Sequence, residues 1–233
     1  MSVCLIPARG GSKRIPRKNI KLFMGKPMIG WSIDVAKAAQ VFDRVIVSTD
    51  DVEIAEVARD LGAEVPFERP AEISDDHATT KDVVEHALGW LDANGGMPER
   101  LCCLYATAPF ARAEDIQTGQ EKLDTARFAM PVTKFRFPIQ RAVEIDGDGH
   151  LRMFNPELYK TRSQDLPEAW HDAGQFYWGH TSAWLSDSLL FGPDTAAIPL
   201  PAWRVQDIDT EEDWARAEIL ARLIAEDIKQ RAD

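Results

Sequence analysis

The chain has 233 residues, 45% of them hydrophobic and 28% charged, with 27 Lys plus Arg against 38 Asp plus Glu and a formal net charge of −11. A composition this ordinary excludes disorder and collagen-like order, and the excess of acid excludes non-specific binding to nucleic acid, which needs a basic surface. The sum hides an asymmetry: residues 1–33 hold seven cations and no acid, and the first carboxylate is Asp34. The length suits a single domain, 1–233. Three cysteines, Cys4, Cys102 and Cys103, form no spaced framework and read as buried thiols. No apolar run reaches the about 18 residues of a membrane span, and the N-terminus carries no secretory pattern, so the expected compartment is the cytoplasm.

The run Ser2 to Ala8 predicts a buried strand that ends in a Gly-rich turn, Arg9-Gly10-Gly11-Ser12. A helix follows from Pro27 to about Gln40. Val45–Thr49 predicts a second strand, Asp50-Asp51 caps a helix over 51–61 closed by Gly62, and Ala63–Pro66 reads as a short third strand. A helix over 79–93, a strand over 100–105, a helix over 113–126 and a strand over 128–132 continue the alternation. This pattern predicts a Rossmann-like three-layer α/β sandwich with a mostly parallel sheet. It breaks over 134–175, where Phe135–Ile145 reads as extended, Asp146–Gly149 as a turn and Leu151–Phe154 as the returning strand. The region is expected to be an inserted hairpin that meets a second copy. Phe176–Trp178 and Ala183–Leu185 resume strand or helix character. A last helix over 211–230 carries the stripe Trp214, Ala217, Leu220, Ala221, Ile224 and Ile228, with Thr210 and Asp213 as its cap.

The segment Ile6 to Asn19 carries the strongest chemical signal. Gly10 and Gly11 admit positive φ and let backbone N–H groups approach an anion, Ser12 adds a hydroxyl, and Arg9, Lys13 and Lys18 can neutralise phosphates. The segment leaves the carboxyl end of a strand, where open α/β sheets bind ligands. It is neither a P-loop nor the Gly-x-Gly-x-x-Gly dinucleotide pattern. A basic surface loop or nucleic-acid arm is the plainer alternative.

Pro7 to Asn19 resembles the signature of the sialic-acid-type (acylneuraminate) cytidylyltransferases. Ser48-Thr49-Asp50, Glu68-Arg69-Pro70, Thr107-Ala108-Pro109, Arg162 to Pro167 and Asp207-Ile208-Asp209-Thr210 follow in the family order. Three departures stand out: Tyr105-Ala106-Thr107-Ala108-Pro109 replaces Gln-Pro-Thr-Ser-Pro, Gln175-Phe176-Tyr177 replaces Ala-Ile-Tyr, and Arg14 replaces Gly. These variants are similar to the branch that acts on pseudaminic acid. The resemblance implies the nucleotide-diphospho-sugar transferase type of fold, a homodimer, Mg²⁺ dependence, CTP and a nonulosonic acid as substrates, and attack of the anomeric hydroxyl on the α-phosphorus.

On that basis Ala8, Arg9, Gly10, Gly11, Ser12, Lys13, Lys18, Arg69, Ser74, Thr80 and Tyr105 are expected around CTP. Lys13, Asp209 and Arg9 are the expected catalytic residues. Asp207 and Asp209 read as a strand end, where residues two apart share a face, and two carboxylates on one face suit Mg²⁺; helix capping is the alternative. For Arg69 the alternative is a surface salt bridge; Ser74, Asp75, Asp76 and Thr80 are expected to assist in the same loop, with a simple helix cap as their alternative. Arg162 and Gln164 are expected at the sugar or the dimer contact, because a planar guanidinium suits a carboxylate. Gln175, Phe176 and Tyr177 are expected to line the sugar pocket or to pack in the core. The five histidines show no metal-ligand spacing. Other readings stay open: a cytidylyltransferase for N-acetylneuraminic, legionaminic or 3-deoxy-octulosonic acid, a nucleotidyltransferase acting on a sugar phosphate, or a non-catalytic nucleotide-binding protein.

Overall fold

The computed structural model describes residues 1–232, with side chains described through Glu226. In chain order the strands and helices are β1 (Ser2–Pro7), β2 (Leu22–Phe23), β3 (Lys26–Pro27), α1 (Met28–Ala39), β4 (Arg44–Ser48), α2 (Val52–Asp60), α3 (Thr80–Ala93), β5 (Arg100–Leu104), α4 (Ala113–Lys122), β6 (Phe128–Lys134), β7 (Val143–Ile145), β8 (Leu151–Met153), β9 (Trp170–Asp172), β10 (Phe176–His180), α5 (Thr181–Trp184), β11 (Thr195–Pro199) and α6 (Glu211–Ala232). The central sheet runs β11-β6-β10-β5-β1-β4, with β9 also on β6. β1 pairs in parallel with both β4 and β5, and β11 in parallel with β6. β10 wedges between β5 and β6 antiparallel to both, and β9 is antiparallel to β6.

Alternation along β1 builds the three layers. Cys4 and Ile6 join Ile29, Ile33, Ile116, Phe176 and Trp178 on one face of the sheet. Val3 and Leu5 join Val84, Leu88, Tyr177 and Trp184 on the other. All three cysteines are free and buried, and burial pushes the Cys103 thiol up to about 12. Gly119 and Gly179 admit this packing, since a Cβ would lie 2.5 Å from Trp178 and 2.6 Å from Phe128 and Trp184 respectively.

Capping residues end the helices where the sequence places them. Asp51 accepts from the Ile54 N–H at 3.0 Å, Thr79 and Asp82 form a capping box, and Gly62 turns the chain at φ 82°. Thr210 and Asp213 cap α6 in the same way. Of the α6 stripe, Trp214 and Ala217 are buried and Leu220, Ala221 and Ile224 pack beside them, while Ile228 lies outside the described side chains.

Three expectations change. Ala63–Pro66 forms only isolated bridges, Ile46 with Glu64 and, beyond it, Thr49 with Glu68; Pro66 between them has no N–H to extend a ladder. Residues 205–209 are coil, not a strand end. The break in the pattern is shorter than 134–175, because Lys134 ends β6 and β9 returns to the main sheet. Within it, the β7–β8 hairpin forms around the Asp146–Gly149 turn, but Phe135–Arg141 ends in a 3-10 turn instead of extending.

Candidate active site

A cleft of about 670 Å³ opens at the carboxyl ends of β1 and β5. The sheet order reverses direction here, since β4 lies on one side of β1 and β5 on the other. Such switch points are where α/β sheets bind ligands. One wall is the loop after β1, with Arg9, Ser12, Lys13, Arg14 and Lys18; the opposite wall is segment 73–83, and Arg69, Tyr105 and Asp209 complete the lining.

Two buried isoleucines hold the charged wall in place. Ile15 and Ile208 are both fully buried in one cluster with Phe23, Met28, Phe110 and Trp214. Packing Ile15 against this cluster brings Arg14 and Lys18 to the residue after Ile208. Arg14 pairs with Asp209 at 2.7 Å and Lys18 at 3.2 Å, and Lys18 also donates to the Ile208 carbonyl at 2.6 Å. Asn19, buried, donates to the Arg9 carbonyl at 2.9 Å and closes the loop.

The seven cations of residues 1–33 part company. Arg9, Lys13, Arg14 and Lys18 face the cleft. Arg17, in a left-handed backbone at φ 56°, turns to Asp51 and Glu53 at the start of α2. Lys21 pairs with Glu211 and Lys26 with Asp34. All seven are ion-paired. Arg9 and Lys13 share Asp76, at 2.7 and 2.6 Å.

Arg69 differs from all of them. It is 4% exposed and makes no ion pair among the described residues. Its Nε donates to Ser48 Oγ at 3.0 Å, its Nη2 to the Ser48 carbonyl, and its backbone N–H to the Thr49 carbonyl at 2.8 Å. Burial draws its pKa down to about 10. The surface salt bridge is therefore excluded: Arg69 is a buried guanidinium held on the strand end with a cleft in front of it. Tyr105 closes the floor, its hydroxyl 3.1 Å from Thr80 Oγ1 and its ring edge-on to Tyr177 at 5.3 Å.

Several expected residues do not reach the cleft. Ala8 is fully buried, its N–H donating to the Ser48 carbonyl. Gly10 and Gly11 lack positive φ. Gly10 is needed for another reason: a Cβ there would lie 2.7 Å from Asp51, and its N–H is already taken by the Asp50 carboxylate at 2.9 Å. Nothing lies within 4 Å of a Cβ on Gly11. Ser74 donates to the Pro70 carbonyl at 2.9 Å and ends a 3-10 turn. Phe176 and Tyr177 are buried in the two core clusters, and Gln175 is buried on the approach to β10. Gln175 donates to the Arg204 carbonyl at 2.8 Å, and Tyr177 donates to Asp172. Arg162 is exposed on the 135–169 excursion, paired with Asp165 at 2.6 Å, and Gln164 stands beside it in solvent.

Asp209 lines the cleft and Asp207 does not. Desolvation of its carboxyl, then the like charge of Asp209, holds Asp207 above the ordinary Asp range. No cluster of three or more His, Cys, Asp or Glu fit for a metal forms among the described residues. The two carboxylates alone suit a hard cation that completes its shell with phosphate oxygens and water. Asp75 and Asp76 line the cleft with Thr80, as expected of that loop, whereas Arg14 entered it without a role assigned from sequence, because its ion-pair partner Asp209 stands at the far end of the chain and leaves no local pattern.

A family model described as cytidylyltransferase matches residues 3–162. The chain is 44% identical to a pseudaminic acid cytidylyltransferase of Campylobacter jejuni, over 95% of this chain and 97% of that protein. It is 30% identical to a CMP-N,N'-diacetyllegionaminic acid synthase of Legionella pneumophila, over 95% and 96%. Among solved structures, a CMP:2-keto-3-deoxy-manno-octonic acid synthetase complexed with CTP superposes with a TM-score of 0.68 at 17% identity, covering 95% of this chain and 98% of that one. That likeness shows the fold, the nucleotide-diphospho-sugar transferase type. No helix among the described residues is long and apolar enough to cross a membrane. Matched over more than half its length by the family model and over nearly all of it by these relatives, the chain belongs to the cytidylyltransferase family.

Proposed function

We propose that the protein transfers CMP from CTP to the anomeric hydroxyl of pseudaminic acid. The hydroxyl oxygen attacks the α-phosphorus, the bond from that phosphorus to the α,β-bridging oxygen breaks, the hydroxyl proton is lost, and pyrophosphate leaves. The observation that carries this reading is the cleft itself: four loop cations and the buried Arg69 around a volume suited to a small polyanion. The 44% identity to a pseudaminic acid cytidylyltransferase supports the choice of sugar acid.

Arg9, Ser12 and Lys18 bind the triphosphate, and Lys13 stabilises charge on the α-phosphate as the bonds exchange. Positioning and charge neutralisation supply most of the catalysis, as in phosphoryl transfer generally. Arg69, with Thr80 and Tyr105 opposite, holds the nucleoside end. Asp209, with Asp207 behind it, would hold a divalent cation, Mg²⁺ in this reading, which supplies further neutralisation of phosphate charge.

The protein acts as a homodimer. The excursion over 135–169 exposes Phe137 at 82%, Ile145 at 72% and Tyr159 at 72%, a set of large apolar side chains that a second copy covers. Arg162 and Gln164 lie on the same excursion, where they reach the partner's cleft or support the contact.

The test is pyrophosphate release from CTP, UTP, ATP or GTP against pseudaminic, N-acetylneuraminic, N,N'-diacetyllegionaminic and 3-deoxy-octulosonic acids, with and without Mg²⁺. Release with CTP and pseudaminic acid at the highest kcat/KM supports the proposal. A higher kcat/KM with the legionaminic acid moves the substrate, and no release with any pair favours a nucleotide-binding protein without activity.

A further inference from the structure

Asp76 occupies a peculiar place in this cleft. Its two oxygens take one cation each: Oδ1 lies 2.7 Å from Arg9 Nη2 and Oδ2 lies 2.6 Å from Lys13 Nζ. It reaches them from segment 71–79, on the wall opposite the loop. The rest of that segment is satisfied within itself. Ser74 bonds back to Pro70, and Asp75 accepts from the N–H groups of His77 and Ala78 at 2.8 and 2.9 Å. Thr79 caps α3. The neighbouring acid Asp75 is thus spent on its own turn, whereas the Asp76 carboxylate makes no hydrogen bond to its own segment among the described residues.

A carboxylate that offers two oxygens to one Arg and one Lys presents what a phosphate group would present at the same spot. Arg9 and Lys13 cannot serve both in full. The pairs are half in solvent, with side-chain exposures of 35% for Arg9, 80% for Lys13 and 43% for Asp76. Exposed pairs of this kind are weak, so a polyanion can displace the carboxylate.

We propose that Asp76 is a built-in competitor for the phosphates: it holds Arg9 and Lys13 when no nucleotide is bound, yields them to the incoming triphosphate, and takes them back as pyrophosphate departs. The inference rests on the reading of this cleft as the CTP site. In the empty cleft Lys13 first and Arg9 second hold the Asp76 carboxyl below the usual range, as expected of an ionised partner to both. The competition has two consequences. Triphosphate binding is weaker than the cations alone would give, and product pyrophosphate meets a competing anion already tethered beside it. Binding strength given up in the ground state in this way need not slow turnover when product release limits it.

The experiment is calorimetric titration of the unaltered protein, Asp76→Asn and Asp76→Ala with CTP, with pyrophosphate and with cytidine. Both variants are expected to bind CTP and pyrophosphate about three- to tenfold tighter, the range that loss of a half-exposed competing pair would give. Cytidine, which has no phosphate, is expected to bind all three proteins alike. In turnover, pyrophosphate should inhibit the variants at correspondingly lower concentration. Unchanged or weaker binding of CTP and pyrophosphate by both variants would overturn the role of Asp76, as would equal tightening for cytidine. If the unaltered protein binds neither CTP nor pyrophosphate, the reading of the cleft fails and this inference with it; if it binds both, only Asp76 is at stake.

Discussion

In the cleft, every cation of the loop from Arg9 to Lys18 already has a carboxylate partner, whereas along residues 135–169 large apolar side chains stand in solvent without cover. Both regions are shaped for something that binds, and they hold their readiness in different currencies. The cleft keeps its charges neutralised in place, so a ligand must exchange one ion pair for another, and selectivity comes from which anion does so best. The excursion keeps apolar area in reserve, so a second chain, as proposed, would gain by removing it from water. Net charge describes neither region. The seven cations of residues 1–33 look like one phosphate site in the sequence, yet only four of them line the cleft.

The contrast can be broken first at Asp209, where the effect is expected to be largest. Asp209→Ala removes the acid that Arg14 and Lys18 hold at the cleft edge. Pyrophosphate release is expected to fall by about 10²–10³-fold, the scale of losing one preorganised charge-stabilising group. The thermal midpoint should stay within a few degrees. Normal kcat from this variant would remove Asp209 from the catalytic centre.

The second break is on the excursion. Ile145→Asp sets a charge where the dimer reading needs apolar contact, at a cost of about 3 kcal/mol or more for an uncompensated charge at a buried interface. Light scattering at micromolar concentration should give two chains for the unaltered protein and one for the variant. A single-chain mass for the unaltered protein contradicts the homodimer directly.

Arg69→Met comes third. It keeps bulk on the strand end and deletes the buried guanidinium. Hydrogen bonds to a charged group contribute about 1.5–3 kcal/mol, so the Kd for CTP should rise about 10–100-fold while that for pyrophosphate moves less. An equal loss for both ligands would place Arg69 at the phosphates instead of the nucleoside.

The smallest effect separates Arg17 from its neighbours. Asp51 caps α2 and receives Arg17, and that pairing holds its carboxyl below the usual range. Asp51→Ala should cost about 1 kcal/mol of stability and leave CTP affinity unchanged. The folded pKa lies below the unfolded value of about 3.9. The stabilisation is therefore fully present above that value and is lost as pH falls through the folded one. Thermal midpoints of the two proteins should differ at pH 7 and converge in acid.

Much of the fold was legible because local signals agreed. β1 is a continuous apolar run, Asp51 and Thr79 are side-chain caps at the predicted starts, and Gly62 supplies the left-handed turn. What failed needed a partner. Ala63–Pro66 has strand composition but a proline in its ladder, and residues 205–209 have alternation with no strand beside them. The placement of β10 between β5 and β6, antiparallel to both, is set by long-range pairing. At the site, Arg9, Lys13, Lys18, Arg69, Thr80, Tyr105 and Asp209 were legible as chemistry-bearing residues near motif boundaries. Phe176 and Tyr177 were ambiguous in the sequence because an aromatic pair at a strand start is compatible with a pocket wall and with a core; both are buried. Asp76 was legible only as one of four polar residues in its loop, and its pairing with Arg9 and Lys13 across the cleft left no local pattern.

The loop from Arg9 to Lys18 is proposed as the place where CTP binds, and every other role in the cleft follows from that. Amine acylation read by mass spectrometry tests it directly, with Lys13 as the reporter and Lys37, exposed on α1, as the internal control. Saturating CTP is predicted to slow modification of Lys13 and to leave Lys37 unchanged. Equal modification of Lys13 with and without CTP would contradict the claim.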